Sequence, residues 1–179
     1  MRKKVLVCIC MCFLLAGCVL QSRTPVFSES DAGALPIALG TRFIMENHDK
    51  AGWTKEEGNF TLQPEGKHYV ASDGDKKSDV EALFVPLGNN WWVMQAAAPG
   101  DPNVYMLAEW TDGALLLHPL DCADLKSQPS AAAAVSFEGD DCYLKGTPGL
   151  DYFRQFTTGT TPATMRLTPG KKGTNHHRY

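Results

Sequence analysis

The stretch "VYMLAEWTDGALLLHPL", residues 104–120, constrains the fold of this chain more tightly than any other. Asp112-Gly113 supplies the two positive-φ positions of a type I′ turn, and the runs on either side are rich in strand formers. A two-residue turn fixes the register. Thr111 then faces Ala114, Trp110 faces Leu115, Ala108 faces Leu117 and Leu107 faces His118. Side chains alternate along a strand, so Met106, Ala108, Trp110, Leu115 and Leu117 share one face, which must be core. Tyr105, Glu109, Leu116 and His118 share the other, which is mixed enough to be half exposed or to meet a smaller second layer.

Turn signals recur every eight to twelve residues along the rest of the chain, the spacing of an antiparallel all-β domain. "NFTLQPEGKHYVAS" is expected to turn at Pro64-Glu65-Gly66, "VEALFVPLGNNWWVMQAAA" at Gly88-Asn89-Asn90, and "AVSFEGDDCYLKG" to form a further hairpin. "EALFVPL" and "WWVMQ" are apolar on both faces, as strands are when both sides are covered or when the sheet curls into a barrel. The fold class is therefore mainly β, an antiparallel meander forming a small barrel or sandwich, with a closed or nearly closed barrel fitting best. Leu150, Phe153 and Phe156 stand at helical spacing after Pro148 and predict a short closing helix near the C-terminus.

The first residues read differently. Arg2, Lys3 and Lys4 precede about a dozen residues, Val5 to Ala16, without charge or proline. That run is too short to span a bilayer as a permanent helix and ends in small residues, as a secretory signal does. Leu15 to Cys18, "LAGC", resembles the lipobox of bacterial lipoproteins. The resemblance implies cleavage before Cys18, diacylglycerol on its thiol and, with Val19 rather than Asp following, an outer-membrane location facing the periplasm. The expected organisation is a signal peptide over 1–17 and a lipidated flexible tether over 18–36. A β-rich domain follows over 37–169, starting near Ile37, and a disordered tail over 170–179.

This sorts the six cysteines. Cys8, Cys10 and Cys12 leave with the signal, Cys18 takes the lipid, and Cys122 and Cys142 remain in a compartment where disulfides persist. They are expected to pair. A metal site is the rival, disfavoured because neither has CxxC or histidine spacing beside it. Losing Arg2, Lys3 and Lys4 takes the basic residues from 17 to 14 against 20 acidic ones, a formal charge of −6. Nucleic acid is not an expected partner of such a surface.

Several side-chain groups invite chemistry. Asp73, Asp75, Asp79 and Glu81 lie close together in a loop-like stretch with calcium-site character, but Lys77, Ser78 and Phe84 occupy places where an oxygen ligand, a glycine and a glutamate are wanted. A solvated loop between strands is the competing reading. Trp91 and Trp92 are adjacent on a strand, so they point to opposite faces, and either is a candidate partner contact if it is exposed rather than buried. His118 stands near Asp121 and Asp124, which suggests a base with an orienting carboxylate, or else a structural histidine at a strand end. His48 and His68 are isolated, and His176 and His177 belong to the polar tail. No GxSxG, HExxH, phosphate loop or dinucleotide fingerprint is present.

These readings favour a non-enzymatic, lipid-anchored envelope module that binds a protein partner or supports the envelope, with no cofactor. A carrier or sensor of a small apolar ligand inside the barrel is the alternative, and an envelope hydrolase stands behind it.

Overall fold

The computed structural model describes residues 19–56, 60–73, 76–158 and 162–170. The signal peptide, Cys18 and residues 171–179 of the expected tail lie outside the described residues. The strands are β1 (Gln21–Ser22), β2 (Arg42–Asp49), β3 (Gly52–Lys55), β4 (Phe60–Glu65), β5 (His68–Asp73), β6 (Lys76–Gly88), β7 (Trp91–Ala97), β8 (Asn103–Thr111), β9 (Ala114–Pro119), β10 (Val135–Glu138), β11 (Asp141–Leu144) and β12 (Met165–Pro169). Short helices α1 (Cys122–Ser127), α2 (Pro129–Ala132) and α3 (Leu150–Arg154) follow the hairpin of β8 and β9.

Asp112 and Gly113 take φ of 50° and 74°, and β8 and β9 pair in the register that the turn dictates. Eight antiparallel strands close into a barrel in the order β8, β7, β6, β5, β4, β2, β12, β9 and back to β8. Every one of them sends apolar side chains inward. Phe43, Met45, Phe60, Leu62, Tyr69, Phe84, Trp92, Met94, Met106, Leu115, Leu117 and Leu167 are buried there with Ala96 and Ala108. Leu35 and Ile37 join this cluster from the segment before β2, where the Leu35 amide donates to the Tyr69 hydroxyl at 3.0 Å.

A second core lies outside the barrel wall. Leu83, Val85 and Leu87 of β6, Val93 of β7, and Tyr105 and Leu107 of β8 form the wall's outer face. Leu20, Phe27, Leu125, Val135, Leu144, Phe153 and Phe156 cover it. Two covered faces explain the lost alternation in β6 and β7. The Cys122–Cys142 disulfide sits in this layer, tying α1 to β11 across a Cα separation of 5.6 Å.

Four expectations need correction. The flexible tether over 18–36 is, from Val19 onward, part of the fold. Val19 is buried and bridges to Asp121, and β1 pairs with β8 on one side and β11 on the other. Gln95, buried on the outer face of β7, accepts from the amides of Val26 and Phe27 at 2.9 and 3.0 Å and donates back to the Phe27 carbonyl. The Tyr105 hydroxyl contacts Ser22 Oγ at 2.7 Å and accepts from the Val26 amide at 3.1 Å. A Ser/Pro-rich composition hid this because side-chain bonds, rather than a regular strand, satisfy the backbone.

The β4–β5 turn falls at Gly66 and Lys67 rather than at Pro64-Glu65-Gly66, since Glu65 pairs with His68 and Pro64 with Tyr69. α3 does not close the molecule: β12 follows it and seals the barrel between β2 and β9. The acidic stretch 73–81 is mostly strand, with Asp73 paired to Lys76.

Two outcomes test the second layer. Replacing both Cys122 and Cys142 with Ala opens a loop of 20 residues and lowers stability by about 3 kcal/mol; an unchanged urea midpoint contradicts this. Gln95→Leu strands the buried Phe27 amide and carbonyl, while the Val26 amide keeps its bond to the Tyr105 hydroxyl, and it costs about 1–3 kcal/mol, read from the same denaturation.

Candidate functional site

The outer face of the β8–β9 hairpin carries the one expected constellation that the fold brings together. His118 stands one residue before the end of β9, across from Leu107, and only 6% of it is exposed. Its ring lies on Trp91, with centroids 5.0 Å apart and planes at 43°. Its Nε2 is 3.5 Å from Glu109 Oε2. Glu109 is the residue of β8 that pairs with Trp91 on one side and Leu116 on the other, so sheet register sets all three neighbours of the imidazole.

Beyond Pro119 the chain leaves the barrel. Asp121 becomes the N-cap of α1, its carboxylate accepting from the Ala123 amide at 2.7 Å. Asp121, Asp124, Leu125 and Gln128 then line a cleft whose other walls are His118, Gln155, Phe156 and Thr158. The expected meeting of His118 with the two aspartates is therefore real as a shared cleft. Glu109 joins it and was missed, because facing strands, not neighbours in sequence, supply it. The cavity volume is about 30 Å³, room for a water molecule or two. Cys122 beside it is held in the disulfide, so its sulfur is not a free thiol.

The tryptophan pair divides as strand alternation requires. Trp92 is 8% exposed and belongs to the barrel interior, so as a partner contact it is corrected: inward-pointing Trp92 has no outer surface to offer. Trp91 is half-buried against the outer layer. Among the described residues no three His, Cys, Asp or Glu side chains group so as to hold a metal ion. Of the calcium-like residues, Asp73, Asp79 and Glu81 are exposed along strands, and Asp75 lies outside the described residues. His68 Nδ1 is 3.6 Å from Glu29 Oε1, and His48 meets Trp53 edge-on at 5.0 Å.

That last contact belongs to a surface patch with no expectation attached to it. Arg166 of β12 pairs with Glu46 of β2, its Nε donating to Glu46 Oε2 at 2.8 Å, while its guanidinium lies 4.5 Å from the Trp53 ring centroid. Thr168 Oγ1 donates to the same carboxylate oxygen at 3.3 Å. The hydrogen bond from Arg166 holds the Glu46 carboxyl below the ordinary 4.5. The alternation Arg166-Leu167-Thr168 was the available signal, but a strand this short between glycine-rich segments is weak evidence on its own.

A lowered folded pKa means that Glu46 stabilises the barrel above the ordinary carboxyl range, a contribution lost as pH falls through the folded value. In a carboxyl NMR titration Glu46 has a midpoint below 4.5, and Arg166→Met returns it toward 4.5. No movement in the variant contradicts the pairing. No family model, curated protein or solved structure matches this chain.

Proposed function

We propose that this chain is an envelope lipoprotein, anchored by acyl groups on Cys18 in the outer membrane and facing the periplasm, which works by binding or structural support rather than by catalysis. The observation that carries this reading is the placement of the cysteines. The two that remain after cleavage at the lipobox-like "LAGC" are bonded to each other in the fold, a pairing that lasts outside the reducing cytoplasm.

The barrel interior supports a module that acts through its outside. Inward-facing aromatic, Leu and Met side chains from all eight strands pack against one another where a carrier would need an open chamber of several hundred Å³. The partner is an envelope protein. Half-buried Trp91 and the Trp53–Arg166 pair put aromatic surface on the outer wall, the residue types that anchor protein contacts. The His118 cleft, with a cavity of about 30 Å³, is a structural element in this reading.

Replacing Cys18 with Ser tests the anchor. The expected variant carries no acyl mass and keeps its signal uncut before position 18. A variant that still sediments with membranes and is cut at the same position contradicts the proposal.

A further inference from the structure

We infer that the domain carries no tether and rests directly on the bilayer, with the end of the barrel at Val19 and Asp121 against the headgroups. This rests on the lipid-anchor reading of Cys18 and goes beyond it, because a lipidated N-terminus is compatible with a domain held at any distance. The residue after Cys18 decides the matter. Val19 is 6% exposed, bridges to Asp121 and packs with the barrel interior. The next residue is held more firmly still: the Leu20 amide donates to the Leu120 carbonyl at 2.9 Å, its carbonyl accepts from the Tyr105 amide at 2.9 Å, and its side chain is fully buried.

Consecutive Cα atoms are about 3.8 Å apart, so an acylated Cys18 sits within one residue's reach of a rigid surface. The acyl chains enter the bilayer from that point, and the surface around Val19 has to follow them to the headgroups. The nearest charges in sequence to the bridge partner, Asp121 itself and Asp124, are acidic, so acyl insertion rather than attraction to anionic lipid holds this face down.

Orientation follows from the hairpin. Val19 meets the chain just past the end of β9, beside Tyr105 and Met106 of β8, whereas the Asp112-Gly113 turn lies beyond the other end of β8, six or seven residues or about 20 Å away. The Asn89-Asn90 turn is at that far end too, since the Trp110 amide donates to the Asn90 carbonyl. These turns point into the aqueous space, and a partner has to come within roughly one barrel length of the membrane to meet the protein.

Neutron reflectometry of the purified lipidated protein on a supported phosphatidylethanolamine–phosphatidylglycerol bilayer measures the gap between headgroups and protein. The expected protein layer begins within about 5 Å, the reach of one residue. A variant with ten Gly/Ser residues inserted between Cys18 and Val19 moves outward toward about 17 Å, the r.m.s. span of that spacer, with an unchanged thermal midpoint because the insertion precedes the first packed residue. A native layer that stands off as far as the spacer variant overturns this inference while leaving the anchor intact. A native protein whose mass shows no acyl group on Cys18 overturns the anchor reading, and this inference with it.

Discussion

Strands β6, β7 and β8 are apolar on both faces, and covering their second face is the constraint on which the rest of the molecule depends. A barrel alone would leave Leu83, Val85, Val93 and Leu107 facing water. Leaving that face in water would forgo about 1.5–3 kcal/mol for each large side chain on it. The layer is assembled from both ends of the chain: β1 and Phe27 from the start, and α1, the β10–β11 hairpin and α3 from the far side of β9. One polar pair stands within it. Gln95 and Tyr105 face each other across β7 and β8, and burial raises the pKa of the Tyr105 hydroxyl, which holds it protonated as a donor to Gln95 Oε1 at 3.0 Å. Their remaining bonding capacity is met by Ser22, Val26 and Phe27, so the polar groups that would penalise the second core are what fasten the N-terminal segment over it.

What could be read from the sequence was local and periodic. Asp112-Gly113 specified a turn, the turn specified a register, and the register specified which side chains share the core, because each step depends only on neighbours in the chain. Asn89 and Asn90, both at positive φ, were legible for the same reason. So was the helix through Phe153, whose ring is fully buried. Barrel closure was less so: β2 and β12 meet across 120 residues, β2's hairpin partner β3 lies off the barrel path, and β12 has no hairpin partner to announce it. The N-terminal segment misled most. Leu20, Phe27 and Leu35 are spaced too irregularly among Ser, Pro and Gly to give a period, and what holds the backbone at Val26 and Phe27 is a glutamine and a tyrosine some seventy to eighty residues away in sequence.

The candidate site shows the same division. His118 with Asp121 and Asp124 was visible as a short-range cluster, but their roles were not. Asp121 caps a helix, and Glu109 reaches the imidazole through strand pairing. Trp91 and Trp92 could be assigned to opposite faces by alternation alone, yet which face is inside depends on how the sheet closes. Arg166, Glu46 and Trp53 come together only because β12 and β3 flank β2.

The central claim is that residues 19–27 are part of the fold, Val19 at the barrel interior and Leu20 to Phe27 in the second layer, and not a leash. Native-state hydrogen exchange on the processed protein tests it most directly, through the amides of Leu20, Val26 and Phe27, each of which donates to a named acceptor. The account predicts that they exchange as slowly as the amides of β7 and β8 and lose protection together with them in urea. Exchange at the rate of an unstructured peptide while the barrel stays protected would contradict it.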